Sequence, residues 1–469
     1  MTDKDIRMRV SGATGGTTHG QAPRPPQPTP YHRGMIPRIL CALFSAGLAM
    51  AQSAAAPDPG AAGRKALDLL LAQKYPEMRQ MFTVEVDKAF PEAGLEGLGA
   101  QVKSWGAPEK IGDPQVQRGP GGLSIVVVPV KFAAVEINFQ VTIDGEGKIA
   151  GLFLRPGSSA PSTPWVHPQY SKPDSFRERD MTIGDDEWKL PGTLTEPVGK
   201  GPFPAIVLVH GSGPNDRDET IGPNKVFKDL AEGLASRGIV VLRYEKRTRQ
   251  YGAKMAAMQK LTVREETVDD AVRAAAALRA QPEVDAKRVF VLGHSLGGNL
   301  APRIAQADAK LAGLVLLAGN VRPLEDAVLE QSEYLGATPA DLQSLRAQVA
   351  KVKALEPADE DAPPLRVGPV SAPASYWLDL KAYDPTAVAK KLTIPMLILQ
   401  GERDYQVSMK DFELWKSAVG SRKNVTLRSY PALNHLFIAG EGKSLPAEYN
   451  KPGHVAPEAI DDIAKFVAK

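Results

Sequence analysis

The segment Val289-Phe290-Val291-Leu292-Gly293-His294-Ser295-Leu296-Gly297-Gly298 holds the residues best suited to chemistry in this chain. A short apolar run ends in G-x-S-x-G and leads into a stretch with helical spacing. A serine on such a strand-to-helix turn has its hydroxyl pushed clear of the sheet. Glycines two positions to either side leave room for the turn, because a Cβ there would meet neighbouring backbone. The N–H of Leu296, at the helix start, faces the oxyanion that develops when Ser295 attacks an acyl carbonyl. A serine used in this way needs a general base, an acid to orient that base and a second oxyanion donor.

The acid is expected after a later strand and the histidine after the last one. Ile394 to Gln400 reads as a strand and leads into Gly401-Glu402-Arg403-Asp404-Tyr405. Asp404 is the candidate acid, with Glu402 as its competitor. Val425 to Tyr430 reads as the last strand and leads into Pro431-Ala432-Leu433-Asn434-His435-Leu436-Phe437. In this reading His435 takes the proton of Ser295, while Asp404 fixes the imidazole tautomer and stabilises the imidazolium. Turnover is then expected to fall on acidification. His19 and His32 precede the expected mature chain, and His167 reads as a surface residue. His294 adjoins the serine but points the other way along the strand. His454 is the rival to His435. The second oxyanion donor is expected after the strand Ala205 to Val209, where the chain reads His210-Gly211-Ser212-Gly213-Pro214. Glycines let the backbone approach a ligand with its N–H groups inward. The donor is the main chain of Ser212 or Gly211. No G-K-[ST] follows, so these glycines do not read as a phosphate loop.

These groups need a sheet to hold them. Candidate strands are Trp188 to Glu196, Ala205 to His210, Ile239 to Tyr244, Val289 to Gly293, Leu314 to Leu317, Met396 to Gln400 and Val425 to Tyr430. Helical stretches intervene, notably Val226 to Ser236 and Thr267 to Arg279. Near-continuous apolar strands separated by helices predict an α/β fold, a doubly wound, mostly parallel sheet with its site at the carboxyl ends of the strands. This catalytic domain spans 176–469. Residues 321–390 read as a helical cap insertion with a Pro-rich interruption. Ahead of it, 61–155 reads as a small α+β domain, helices followed by an antiparallel meander. Residues 156–175 read as a Pro- and Ser-rich linker.

The 469 residues leave room for two or three domains. A net charge of +3 is too small to argue for nucleic acid, and no basic stripe interleaves with aromatics. Residues 1–34 read as disordered or as preceding the true start at Met35. Residues 35–56 read as a signal peptide: Arg38, the apolar run Ile39 to Leu48, then Ala49-Met50-Ala51. That run is too short for a membrane span. Export to the periplasm or exterior is expected, with no span after processing. The single cysteine, Cys41, lies inside the run, so the mature chain is expected to lack disulfides and thiolate sites.

With these residues in view, the region from about 180 to 469 resembles the α/β-hydrolase superfamily. It is most similar to bacterial serine esterases that carry H-G-S-G-P-N-D-R-D-E (His210 to Glu219), a strand ending L-R-Y-E-K-R (Leu242 to Arg247), G-H-S-L-G-G and a late N-H-L-F. The block 61–155 is similar to the small domain often found ahead of such hydrolases. The resemblance implies carboxylic-ester hydrolysis on Ser295, Asp404 and His435, with the amides of Ser212 and Leu296, and with no metal or cofactor. It also implies that Arg217 to Glu219 and Arg243 to Arg247 flank the site, in a bracing role. Glu245 stands where that family usually has aspartate. The expected activity is a serine carboxylesterase on small-molecule esters. A serine peptidase or thioesterase would use the same triad, and an inert envelope-binding protein is the non-enzymatic alternative. The 61–155 block is left as a binding or homodimerisation module.

Overall fold

A computed structural model describes residues 58–469 except 91, 120–121, 133–134, 158–164, 185–186, 257 and 259. The expected signal peptide, the segment before it and Cys41 lie outside the described residues.

Helices α1 (Pro59–Leu71), α2 (Tyr75–Arg79), α3 (Val84–Ala89) and α4 (Glu92–Ser104) precede five strands. These are β1 (Pro108–Ile111), β2 (Gln115–Arg118), β3 (Ser124–Phe132), β4 (Glu136–Ile143) and β5 (Ile149–Pro156). The sheet order is β1-β3-β4-β5, with β2 on β3, and every pairing is antiparallel. Asp58 caps α1 by accepting from Gly60 N, and Pro59 opens the helix, where a missing N–H does no harm. Ala66, Leu67 and Leu70 share one face of α1 and pack with Val126, Val128, Phe139 and Val141 of the sheet. The short polar strands β1 and β2 were not anticipated, since neither has an apolar alternation.

The second sheet holds β6 (Phe176–Ile183), β7 (Leu190–Pro197), β8 (Phe203–Val209), β9 (Val240–Tyr244), β10 (Val284–His294), β11 (Gly313–Leu317), β12 (Met396–Gly401) and β13 (Val425–Tyr430). Its order is β13-β12-β11-β10-β8-β9-β7-β6. Pairing is parallel from β13 through β9 and antiparallel for β7 and β6. Successive residues of the central strands fall into opposite cores. Val207, Val291, Leu316 and Ile398 face one side; Leu208, Leu292, Leu317 and Leu399 face the other. Burial of both faces is why these strands read as unbroken apolar runs. Truncating one of them, as in Leu292→Ala, costs about 2–5 kcal/mol.

Helix α5 (Val226–Ala235) covers one face; α6 (Asp269–Arg279) and α7 (Leu296–Ala307) cover the other. A π-helical turn, Arg264–Val268, precedes α6, where the sequence reading began a plain helix at Thr267. Between β11 and β12 lie α8 (Leu324–Tyr334), α9 (Pro339–Lys353), α10 (Ala374–Lys381) and α11 (Pro385–Lys391). The Pro-rich interruption forms a hairpin, Leu365–Val367 with Val370–Ala372. Helix α11 packs on α7 and on α12 (Met409–Val419), so the end of the 321–390 segment belongs to the helical layer of the sheet. Helix α13 (Pro457–Ala468) joins α5 on its face. Part of the expected linker lies against α5: Trp165 Nε1 donates to Asp229 Oδ1 at 3.0 Å, and His167 Nδ1 lies 2.7 Å from Glu232 Oε2.

Candidate active site

Ser295 has φ 54° and ψ −118°, a conformation that a non-glycine residue keeps only when its surroundings impose it. The surroundings do so by contact. A Cβ on Gly293 would sit 2.1 Å from Gly297 O, and one on Gly297 would sit 2.3 Å from Val209 O. Strand β10 and helix α7 thus meet backbone to backbone, which only glycine allows. Ser295 N donates to Leu317 O at 2.9 Å, and Ser295 O accepts from Asn299 N at 3.0 Å. Both main-chain groups are fixed by these bonds. Leu296 is the first residue of α7, so its N–H has no acceptor within the helix and lies at the positive end of the dipole.

Asp404 and His435 follow the carboxyl ends of β12 and β13, on the same edge of the sheet as Ser295. The loop after β13 crosses back over β12. Arg403 N donates to Leu433 O, and a Cβ on Gly401 would meet Leu433 O at 2.4 Å. This path carries His435 to Asp404, with Nδ1 2.6 Å from Oδ2. Both residues are buried. Asp404 Oδ1 accepts from Gln406 N at 2.8 Å and Val407 N at 3.0 Å, and Oδ2 accepts from Gln400 Nε2 at 3.2 Å. A carboxylate so held takes the Nδ1–H of His435, which leaves Nε2 as the basic nitrogen. His435 O lies 2.9 Å from Nε2 of His294, and the two rings are 4.7 Å apart. Because His294 precedes Ser295, this contact holds the His435 loop beside Ser295. Among the described residues Ser295 Oγ makes no hydrogen bond; in substrate-free sites that contact is often long.

The competitors are engaged elsewhere. Glu402 accepts from Ser429 Oγ at 2.7 Å. His454 Nδ1 lies 3.1 Å from Asp229 Oδ1, and its ring meets Trp165 edge-on. His167 is largely exposed beside Glu232.

The loop after β8 passes against Ser295: a Cβ on Gly211 would lie 3.1 Å from Ser295 Cβ. Of the two donors expected there, Gly211 is corrected by the structure. Its N–H donates to Glu219 Oε1 at 2.8 Å and is not available to a substrate. Ser212 N–H remains as the candidate there, beside that of Leu296. Glu219 is buried, with φ 48°, and its Oε2 lies 2.8 Å from His294 Nδ1. Burial opposes the charge of both partners. Their mutual attraction outweighs it, holding the Glu219 carboxyl below its ordinary value and the His294 imidazole above its own. Burial pushes His210 down to about 4, so its ring is neutral and Nε2–H donates to Asp216 O at 3.0 Å.

The flanking charged segments do brace the loop. Arg217 Nε donates to Glu245 Oε1 at 2.9 Å, Arg243 bridges Glu178 and Asp218, and Lys246 Nζ donates to Gly211 O at 2.8 Å. The sequence reading placed these segments near the site but did not single out Glu219 or Lys246. Their only signal was a charge in a segment destined for burial. Among the described residues, no group of three or more His, Cys, Asp or Glu side chains is arranged to hold a metal ion, and no helix is long and apolar enough to cross a membrane.

Residues 202–442 match the Hydrolase_4 family, described as serine aminopeptidase, S33. Residues 64–152 match DUF3887, a family of proteins of unknown function. The chain is 46% identical over 343 residues to Esterase EstD of Thermotoga maritima, covering 72% of this chain and 78% of that protein. Among solved structures it is similar to Est1E from Butyrivibrio proteoclasticus, with TM-score 0.41 and 17% identity over 62% of this chain and 99% of that one. A Pyrobaculum calidifontis esterase aligns with TM-score 0.40 and 20% identity, over 62% of this chain and 85% of that one.

Proposed function

Because this chain belongs to the Hydrolase_4 family of α/β-hydrolases, we propose that it is a serine carboxylesterase working through an acyl-enzyme on Ser295. Ser295 Oγ attacks the acyl carbon, and its proton passes to His435 Nε2. Asp404 accepts from Nδ1–H and stabilises the imidazolium. The carbonyl oxygen becomes an oxyanion and receives the N–H groups of Ser212 and Leu296. When the tetrahedral intermediate collapses, the C–O bond to the alcohol breaks and His435 returns the proton to the leaving oxygen. Water, deprotonated by His435, then attacks the acyl carbon; the bond to Ser295 Oγ breaks, His435 returns the proton to Oγ, and the carboxylic acid is released.

The observation that carries this reading is the buried Asp404–His435 pair, 2.6 Å apart, held through His294 against a serine with positive φ at the head of a helix. The ester as substrate is supported by the relative named an esterase, which aligns along most of both chains. The test is turnover of aryl esters over a range of acyl lengths, beside aminoacyl anilides. The expected result is efficient ester cleavage with anilides much slower. Anilides turned over at comparable kcat/KM would favour a second reading, a serine peptidase, to which the family description points.

Export through residues 35–56 is part of the proposal, supported by Arg38, the apolar run Ile39 to Leu48 and Ala49-Met50-Ala51. N-terminal sequencing of the protein recovered from an expressing cell's envelope fraction tests it. A chain beginning between Gln52 and Pro57 agrees, and a chain that keeps residues 35–51 refutes it.

A further inference from the structure

Three buried side chains link the insertion between β11 and β12 to the oxyanion loop. Tyr376, on α10 of that insertion, donates its hydroxyl to Glu266 Oε2 at 2.7 Å. Glu266 Oε1 lies 2.8 Å from Lys246 Nζ. Lys246 Nζ in turn donates to Gly211 O at 2.8 Å. The relative exposures of Lys246, Glu266 and Tyr376 are 2%, 6% and 7%, so none of the three touches solvent enough to meet a substrate directly. Glu266 lies on the π-helical turn Arg264–Val268, a widened turn of the kind found at functional sites. A second link pins the same helix: Ser375 Oγ donates to Leu261 O at 2.9 Å and accepts from Leu261 N at 3.2 Å.

The carbonyl that Lys246 grips belongs to the peptide that presents the Ser212 amide. That peptide is planar and trans, so its C=O and N–H point in opposite directions. Gly211, on one side of it, has no Cβ to restrict rotation. The peptide's orientation is therefore set by what holds the carbonyl: Lys246 Nζ on Gly211 O, assisted by Asn215 Nδ2 at 3.2 Å. The backbone N–H of Lys246 also donates to Asn215 O at 3.2 Å, which fixes the assistant. With the carbonyl held on Lys246 Nζ, the Ser212 N–H is held pointing away from Lys246.

We propose that Lys246 is the positioning residue for the oxyanion donor Ser212, and that Tyr376, through Glu266, makes this position depend on the insertion. The inference rests on the serine-esterase reading above. It gives the insertion a part in transition-state stabilisation besides any part in covering the site.

The test uses the full chain and two variants. The double variant Lys246→Met/Glu266→Gln removes both charges together, so neither is left buried alone. Tyr376→Phe removes one hydroxyl without changing shape. For each, kcat and KM on an aryl ester are measured with the affinity for an aryl trifluoromethyl ketone, which adds to the serine as a tetrahedral oxyanion. Removing an oxyanion donor outright lowers kcat ~10²–10³-fold; for a donor left present but misaimed we expect ~10–100-fold in the double variant and ~3–10-fold in Tyr376→Phe. KM should stay within about threefold, and ketone affinity should fall in step with kcat/KM. Unchanged kcat, an effect confined to KM, or undiminished ketone affinity in either folded variant would overturn the proposal. If the double variant does not fold, Tyr376→Phe decides alone by the same criteria. Ser295→Ala separates this failure from a wider one. If Ser295→Ala retains full turnover, the esterase reading itself is wrong; if turnover depends on Ser295 but not on Lys246 or Tyr376, only this inference falls.

Discussion

Replacing Asp404 with asparagine changes one oxygen to NH₂, and the site determines where that NH₂ must go. Oδ1 accepts two main-chain N–H groups, from Gln406 at 2.8 Å and Val407 at 3.0 Å. An amide NH₂ turned toward them would set donor against donor twice, so the asparagine oxygen stays there. The NH₂ then takes the place of Oδ2, facing His435 Nδ1 at about 2.6 Å and Gln400 Nε2 at about 3.2 Å. His435 answers by making Nδ1 the acceptor and moving its proton to Nε2. In that tautomer Nε2 no longer accepts the serine proton. The same change in a serine-protease triad costs ~10⁴ in kcat, which corresponds to about 5 kcal/mol of transition-state stabilisation. We expect Asp404→Asn to lose ~10³–10⁴ in kcat on an aryl ester while KM changes little. Thermal unfolding of the variant checks that the fold is intact. Glu402→Gln, which alters only the contact with Ser429, should keep nearly full activity. An Asp404→Asn variant within about tenfold of wild type would refute the tautomer argument, and so would a comparable loss in Glu402→Gln.

Gly293→Ala places a Cβ 2.1 Å from Gly297 O, and overpacking of about 3 kcal/mol in a domain of this size should lower Tm by roughly 5 °C; a scan with Tm unchanged would contradict the contact. The buried Glu219–His294 pair makes stability depend on pH. The raised His294 contributes fully below its ordinary value of 6.5 and is lost as pH rises through the raised one, while the lowered Glu219 contributes above its ordinary 4.5 and is lost as pH falls through the lowered one. Urea unfolding should therefore show stability declining on the alkaline side of that window, and the decline should be smaller in Glu219→Gln, where the His454–Asp229 contact remains. An identical pH profile in the variant would count against the ion pair. His454→Asn should leave ester turnover within about twofold, since its ring is engaged by Asp229; a loss near the ~10²–10⁴ of a general base would reopen the choice of histidine.

The strands that hold the site were legible because both their faces are buried. Ala205 to Val209 and Val289 to Leu292 are apolar at every position, and their short length and β-branched residues favour buried strands over buried helices. Strand β6 was not, because Phe176–Ile183 is an edge strand whose exposed middle positions are Arg177, Glu178, Arg179 and Asp180. The hairpin at Leu365–Ala372 was hidden for a related reason: three-residue strands among prolines are too short to show a period. Asp404 and His435 could be singled out as candidates from chain order alone, since each follows a strand end. The choice of oxyanion amide could not. Gly211 and Ser212 are adjacent and equally plausible by type, and only the Glu219 carboxylate on Gly211 N–H separates them. Lys246, Glu266 and Tyr376 were illegible as a group, because they are joined across 130 residues only once the chain has folded.

The central claim is that Ser295 is the nucleophile, and covalent trapping tests it most directly. The purified full chain is incubated with a fluorophosphonate, its ester turnover is followed, and the modified residue is located by peptide mass spectrometry. We expect a single adduct, on the peptide containing Ser295, appearing in step with loss of activity, and neither label nor turnover in Ser295→Ala. Labelling at another residue, or a Ser295→Ala protein that still hydrolyses esters at the wild-type rate, would contradict it.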